Sequence, residues 1–227
     1  MIKRKIIISC EHAGNYIPKE YQYLFQGQSD ILQSHRGWDI GAYSLAKYLS
    51  RHLSAPLFEQ KISRLLIEMN RSKSSQELFS AFTKMLDESK KDALIQKYFN
   101  SYRNQVEKKI NLFINEGFEV LHVSVHTFTP SMNGLERKVD IGILCDETFP
   151  NELAFSAAWK NTLQTQLSDL LVLLNIPYNG ADDGLTTYLR SKISLEKYLG
   201  IEIEINQKHA GTEKIDAIKS ALLASLK

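Results

Sequence analysis

Apolar, β-branched runs that stop abruptly at a polar residue recur along this chain. Ile6-Ile7-Ile8-Ser9-Cys10 leads into Glu11-His12 and then Ala13-Gly14-Asn15. Val120-Leu121-His122-Val123-Ser124-Val125-His126 leads into Thr127-Phe128-Thr129-Pro130. Each reads as a buried strand whose carboxyl end delivers a histidine at a turn. Further strands are predicted over residues 65–69, 139–145, 175–178 and 201–206. The 139–145 segment is mixed and admits an antiparallel strand. Helical spacing of apolar positions predicts helices over 38–53 and 89–116, the latter with Leu94, Tyr98, Tyr102, Val106, Ile110 and Phe113 on one stripe. Residues 151–173 and 212–226 are further helical candidates. The SKSSQ stretch, 72–76, reads as a loop that caps a following helix at Ser74 or Ser75. Strands alternating with helices imply an α/β fold: a mixed, mostly parallel sheet of about six strands between two layers of helices.

Composition narrows the class without naming a function. At 227 residues and 43% hydrophobic, the chain is long enough for a substantial core, and no linker, repeat or low-complexity stretch divides it. Residues 1–227 are therefore expected to form one domain. A net charge of +2 with both signs interspersed gives no bulk electrostatic reason for a nucleic-acid partner. No window approaches the ~20 apolar residues of a membrane span. The opening Met-Ile-Lys-Arg-Lys is too short for a basic arm, and the apolar run after it is too short for a secretory signal. Cys10 and Cys145 lie in apparent core strands and read as reduced, buried thiols, so a cytoplasmic protein is expected. Cys10 is also two residues from His12, where packing and a metal role are both conceivable.

Candidate chemistry gathers where strands end, the place where ligands bind in open α/β sheets. His12 and His126 each end an apolar run. Asp39, in His35-Arg36-Gly37-Trp38-Asp39, stands near a helix start, where a carboxylate either caps the helix or points outward as a ligand. Two histidines and one carboxylate are a common ligand set of hydrolytic zinc, although ordinary hydrogen-bonded histidines fit the same pattern. In Gly200-Ile201-Glu202-Ile203-Glu204-Ile205-Asn206, period two puts Glu202, Glu204 and Asn206 on one face. On an edge strand that face would simply be solvated. On an internal strand its carboxylates need a metal, a substrate or a base role, and either glutamate can serve as general base. Asn70 and Arg71 follow the predicted 65–69 strand, and an arginine there suits a substrate carboxylate. Arg64 and Arg137 are further arginines of this kind. Tyr178 and Asn179 sit in a glycine-rich loop and either shape a turn or line a pocket. Glu11, Asn15 and Thr127 flank the two histidines and join the substrate-binding candidates.

The segments SCEHAGNYIP, HRGWDIGA, LLIEMNR, VSVHTFTP, VDIGIL and GIEIEIN occur in that order from the first strand to the last. With them the chain resembles the N-formylglutamate amidohydrolase family along essentially its whole length. That family is similar in fold to zinc-dependent N-acetylmuramoyl-alanine amidases and zinc exopeptidases. In those amidases zinc is held by a histidine after the first strand, a glutamate at the next helix start and a histidine ending a later strand, with a catalytic glutamate on the last strand. The resemblance assigns these roles to His12, Asp39, His126 and Glu204. It departs in two places: the helix-start carboxylate is the shorter Asp, and Glu202 accompanies Glu204.

The expected function is zinc-dependent cleavage of the amide of a small N-acyl amino acid, with N-formyl-L-glutamate or a close analogue as substrate. One zinc ion per chain is expected, with no nucleic-acid or membrane partner. Two other readings stand beside it: a cytosolic muropeptide amidase, and a catalytically silent protein of the same fold that binds a small metabolite.

Overall fold

Alternation along the chain becomes alternation across a sheet. The computed structural model describes residues 3–227, so Met1 and Ile2 of the opening basic stretch lie outside the described residues. A six-stranded sheet has the order β2-β1-β3-β8-β6-β7. Its members are β1 (Arg4–Cys10), β2 (Leu57–Glu59), β3 (Glu119–Phe128), β6 (Ile141–Leu144), β7 (Val172–Leu174) and β8 (Tyr198–Asn206). β2, β1, β3 and β8 run parallel, β6 runs antiparallel to β8, and β7 is parallel to β6. The antiparallel option open for residues 139–145 is the one adopted. A separate two-stranded hairpin, β4 (Ser131–Met132) with β5 (Leu135–Glu136), follows β3.

Period two sorts the side chains of the central strands into two unlike faces. On one face Ile8, Cys10, Leu121, Val123, Val125, Ile141, Ile143, Ile201, Ile203 and Ile205 form an apolar core. That core is covered by α2 (Ala42–Leu53), α5 (Pro150–Gln166) and α7 (Glu213–Leu226). Each such side chain, fully buried, contributes about 1.5–3 kcal/mol. On the other face, α4 (Ser101–Asn115) and the short α6 (Leu185–Arg190) pack over Ile7, Val120 and Tyr198. The rest of that face is polar and buried: Ser9, Glu11, His122, Ser124, His126, Glu202 and Glu204. β8 is internal, between β3 and β6, so its carboxylates do not face bulk water. Cys10 and Cys145 are free and buried. No helix among the described residues is long and apolar enough to cross a membrane.

Several predicted elements differ in the structure. Residues 65–69 are not a strand but a series of turns. Leu66 and Ile67 bond back to Ser63, and Glu68 N donates to Leu78 O. Their apolar side chains join a separate core with Ile17, Tyr21, Phe25, Leu78, Leu86 and Phe99. A short buried apolar run carries no period that distinguishes a strand from a packed turn. Ser74 and Ser75 cap no helix; Ser75 closes a turn on Glu77 N. The next helix, α3 (Glu88–Leu94), is capped by Asp87, whose side chain accepts from Lys90 N. The predicted 89–116 helix is α3, a π-helical turn at Ile95–Asn100, and α4 in succession. The weak strand expected at 175–178 is displaced to β7. Asn175 ends it in the left-handed region, at φ 49°. Its Oδ1 accepts from Cys145 N and Gly180 N. A further short helix, α1 (Ser29–Gln33), precedes the Asp39 segment.

Candidate active site

Two histidines meet at the carboxyl end of the sheet because β1 and β3 are adjacent, parallel and in register, Ser9 opposite Ser124. His12 follows β1 at a turn, and His126 lies near the end of β3. Their ring centroids are 5.2 Å apart. Asp39 is brought between them by a backbone bond from its N–H to His12 O, 3.1 Å. Its side chain does not cap α2, whose N-cap is Gly41. One oxygen, Oδ2, lies 3.3 Å from His12 Nδ1 and 2.9 Å from His126 Nδ1, and Arg64 Nη1 donates to the other at 3.3 Å. Ligand atoms of His12, Asp39 and His126 all fall within 4.8 Å of one another, so these three residues can hold a metal ion.

What lies behind the histidines fits that use. His12 Nε2 is hydrogen-bonded to Glu68, and His126 Nε2 lies 3.1 Å from Glu11 Oε2. Each imidazole therefore has a carboxylate on the nitrogen facing away from Asp39, the arrangement that fixes the orientation and basicity of metal-ligating histidines. Burial alone would raise the carboxyls of Glu11, Asp39 and Glu68. Hydrogen bonds and the positive charge of the histidines, and for Glu68 of Arg64 first, hold all three well below the usual carboxylate range. Burial alone would likewise lower both imidazoles, and the same carboxylates hold them up. Glu11 is itself fixed by Tyr102 OH at 2.8 Å and by the Ser124 hydroxyl. Deeper on the same face, His122 bridges Ser9 at 2.7 Å and Tyr198 at 2.8 Å, and burial pushes its imidazole down to about 4.

Glu204 is the exception among these satisfied groups. The register of β8 on β3 sets it opposite His126, and sets Glu202 opposite Ser124. Its Oε2 is buried without a hydrogen-bond partner among the described residues. Burial is the main reason its carboxyl is pushed up to about 8, with Asp39 and Glu202 adding to the rise. Gly142, its partner on β6, keeps the approach clear: a Cβ there would stand 2.2 Å from Ile176 O and 3.3 Å from Glu204 Cβ. A buried carboxylate lacking a donor beside two imidazoles and an aspartate suits proton transfer or a metal-bound reactant.

These groups open into a cavity of about 240 Å³ lined by His12, Asp39, Arg64, Asn70, Arg71, His126, Thr127, Tyr178, Asn179, Glu202 and Glu204 among others. Larger hollows occur elsewhere, about 490 Å³ beside α2 and α7 and about 810 Å³ along α4, but neither is lined by a histidine. Chemistry, not volume, locates the site.

Of the sequence-predicted substrate groups, Asn70, Arg71, Thr127, Tyr178 and Asn179 line this cavity. Asn70 Oδ1 accepts from Leu185 N at 2.7 Å, and its amide nitrogen lies 3.5 Å from His126 Nε2. Arg71 bonds Glu77 at 2.8 Å and the carbonyls of Asn70 and Asp183 at 2.9 and 3.0 Å. Glu11, Asn15 and Arg137 are not on the cavity wall. Glu11 stands behind His126. Asn15 ties its loop to Leu32 O at 2.9 Å. Arg137 donates to Tyr178 OH at 3.0 Å and stacks on that ring, so it braces a wall residue from outside. Glu68 escapes sequence reading altogether; its one signal is a carboxylate inside an otherwise apolar run.

Fold and site together define an α/β protein with a buried cluster of two histidines and one carboxylate that can hold a metal ion. A family model for N-formylglutamate amidohydrolase matches residues 4–210, and the chain belongs to that family. The gene product Atu2144 from Agrobacterium tumefaciens is similar over 99% of this chain and 90% of its own, with 30% identity and a TM-score of 0.83. The N-formylglutamate amidohydrolase from Ralstonia eutropha JMP134 shares the fold at a TM-score of 0.67 and 13% identity, over 99% of this chain and 92% of its own. Among curated proteins, no sequence matches the chain.

Proposed function

We propose that this protein is a metal-dependent amidohydrolase that cleaves the amide of a small N-acyl amino acid, using residues 1–227 as one catalytic domain. N-formyl-L-glutamate is the substrate for which the family is named; a close analogue fits the same chemistry. The observation that carries the proposal is the convergence of His12, Asp39 and His126 beside the unpartnered Glu204 carboxylate.

His12 and His126, through Nδ1, and Asp39 would hold the metal, and zinc suits this donor set. When bound, the metal supplies a Lewis acid that polarises the amide carbonyl and acidifies a water. Glu204 accepts a proton from the attacking water and returns it to the departing nitrogen, so that amide and water become a carboxylic acid and a free amine. The same carboxyl, once it has taken that proton, is the acid of the second step. Glu202, fixed by Thr186 at 2.6 Å, is less free to move a proton. Arg71 binds the substrate carboxylate, with Asn70, Thr127, Tyr178 and Asn179 shaping the pocket. Glu11 and Glu68 orient the two histidines. The unpartnered Glu204 favours catalysis over a silent binding role.

The test is metal content together with turnover. Protein purified without added metal and analysed by mass spectrometry should carry close to one divalent ion per chain and should release amine from N-formyl amino acids. A muropeptide substrate hydrolysed in preference to every N-acyl amino acid would shift the reading to the muropeptide amidase.

A further inference from the structure

The π-helical turn at Ile95–Asn100 ends just before Tyr102 and Arg103, and wide turns of this kind inside helices are frequent at functional sites. Both residues point inward. Tyr102 OH reaches Glu11, behind His126, at 2.8 Å. Arg103 reaches the loop that carries Glu68, Asn70 and Arg71: its Nη2 donates to Met69 O at 3.0 Å and also to Arg71 O. Its guanidinium lies against the rings of Phe99 and Tyr188, 4.4 and 5.0 Å from their centroids. It is the most buried arginine among the described residues, 3% exposed. Arg64, Arg71 and Arg190 each pair with a carboxylate. Among the described residues Arg103 pairs with none, and its buried Nε has no hydrogen-bond partner. Burial lowers the guanidinium of all four; carboxylates hold the other three above their usual range, and Arg103 stays below it.

A buried arginine spent on backbone carbonyls and left without a counter-charge is costly for stability alone. What it holds gives the reason. The two carbonyls it binds flank Asn70. Leu185 N holds the Asn70 side chain, donating to Oδ1 at 2.7 Å, and Gly184 leaves room for it, since a Cβ there would stand 3.0 Å from that oxygen. Asn70 and Arg71 are the two residues of this loop that line the cavity, and Arg103 pins the backbone on which both sit. We infer that Arg103 is a positioning residue for substrate binding: by holding Met69 O and Arg71 O it keeps Asn70 and Arg71 in the geometry that receives the substrate carboxylate. Fixing such groups before the substrate arrives is what makes a small site effective. A carboxylate bound there also offsets the unpaired cation behind the loop. This inference rests on the amidohydrolase reading, in which Arg71 binds that carboxylate.

The experiment measures hydrolysis of N-formyl-L-glutamate at saturating metal, and calorimetric binding of L-glutamate as a readout independent of turnover. It uses the wild type, Arg103→Met, Arg103→Lys, Arg71→Lys and the double variant Arg71→Lys with Arg103→Met. Arg103→Met should raise KM, and Kd for L-glutamate, by about 10- to 100-fold, the range of charged hydrogen bonds lost. Its kcat should change by less than about threefold, because binding and not proton transfer is affected. Arg103→Lys, which keeps the charge without the planar fork, should fall between. In the double variant the two losses should not multiply, since both act through one loop. If Arg103→Met does not fold, Arg103→Lys replaces it in the cycle. An arginine that only stabilises the fold would lower Tm and leave KM unchanged. Unchanged KM in the folded variants, or losses that multiply in the double variant, overturn the inference and leave the amidohydrolase reading intact. Absence of turnover in the wild type, with L-glutamate bound and weakened in the same pattern, removes that reading and supports the assignment of Arg103. Absence of both turnover and binding in the wild type removes both.

Discussion

Glu204 and Glu202 are two residues apart on one strand, and their surroundings give them different work. Glu204 has no hydrogen-bond donor at Oε2 among the described residues, and Glu202 is held by Thr186. Glu204→Gln should therefore keep the fold and most of the metal affinity while kcat falls by roughly 10²–10⁴-fold, the usual share of general acid–base catalysis. Glu202→Gln should act mainly on KM. A full kcat in Glu204→Gln would move the proton-transfer role elsewhere. The Glu204 carboxyl also makes stability depend on pH. Its folded value, about 8, lies above the ordinary 4.5, so the folded state retains a proton that the unfolded chain releases. That contribution is fully present below about 4.5 and is lost as pH rises through about 8. Thermal unfolding followed from pH 5 to 9 in a chelator should show a decline that is shallower in Glu204→Gln; identical slopes would mean that the carboxyl titrates normally. Arg71→Lys, which keeps charge but loses the planar fork, should raise KM for N-acyl amino acids without lowering Tm. A fall in Tm with unchanged KM would make Arg71 a structural tie between Glu77 and the Asp183 loop.

At the scale of elements, the parts of the site that could be read from sequence are those that ride on strands. His12, His126 and Glu204 were legible because period two fixes which side of a strand a residue occupies, and an apolar run that stops marks its end. The choice between cap and inward carboxylate for Asp39 was not legible. It depends on the bond from its backbone to His12 O, which exists only after β1 and the residue 39 turn meet. Glu68 was not legible for a related reason. It sits in an apolar segment that is a packed turn and not a strand, and its partner His12 is 56 residues away. The orienting role of such carboxylates has a measurable size. Glu68→Ala and Glu11→Ala should each weaken metal binding by about 10- to 100-fold, read by competition with a chromogenic chelator. Tyr102→Phe, which removes only one donor to Glu11, should have a smaller effect. Unchanged affinity in both glutamate variants would reduce these residues to buried charge partners.

The whole molecule divides its labour by sheet face. One face is built of isoleucine, leucine and valine and anchors α2, α5 and α7; the opposite face carries a buried polar stripe from Ser9 and His122 up to His126 and Glu204. That layout was visible as alternation in residues 201–206 alone; the other two strands read as apolar runs that stop at a histidine. Their adjacency in the order β1-β3-β8 was not, because strand order is set by crossovers and not by local pattern. On the proposed reading His12, Asp39 and His126 come together only in the folded chain, so metal at 100 times its dissociation constant should add about 2.7 kcal/mol of stability. The most direct test of the central claim is amine release from N-formyl amino acids, measured before chelation, after chelation and after divalent metal is restored, with His126→Ala alongside. The account predicts activity that disappears on chelation, returns with metal, and is absent in His126→Ala under all three conditions. Turnover that survives both chelation and His126→Ala would contradict it.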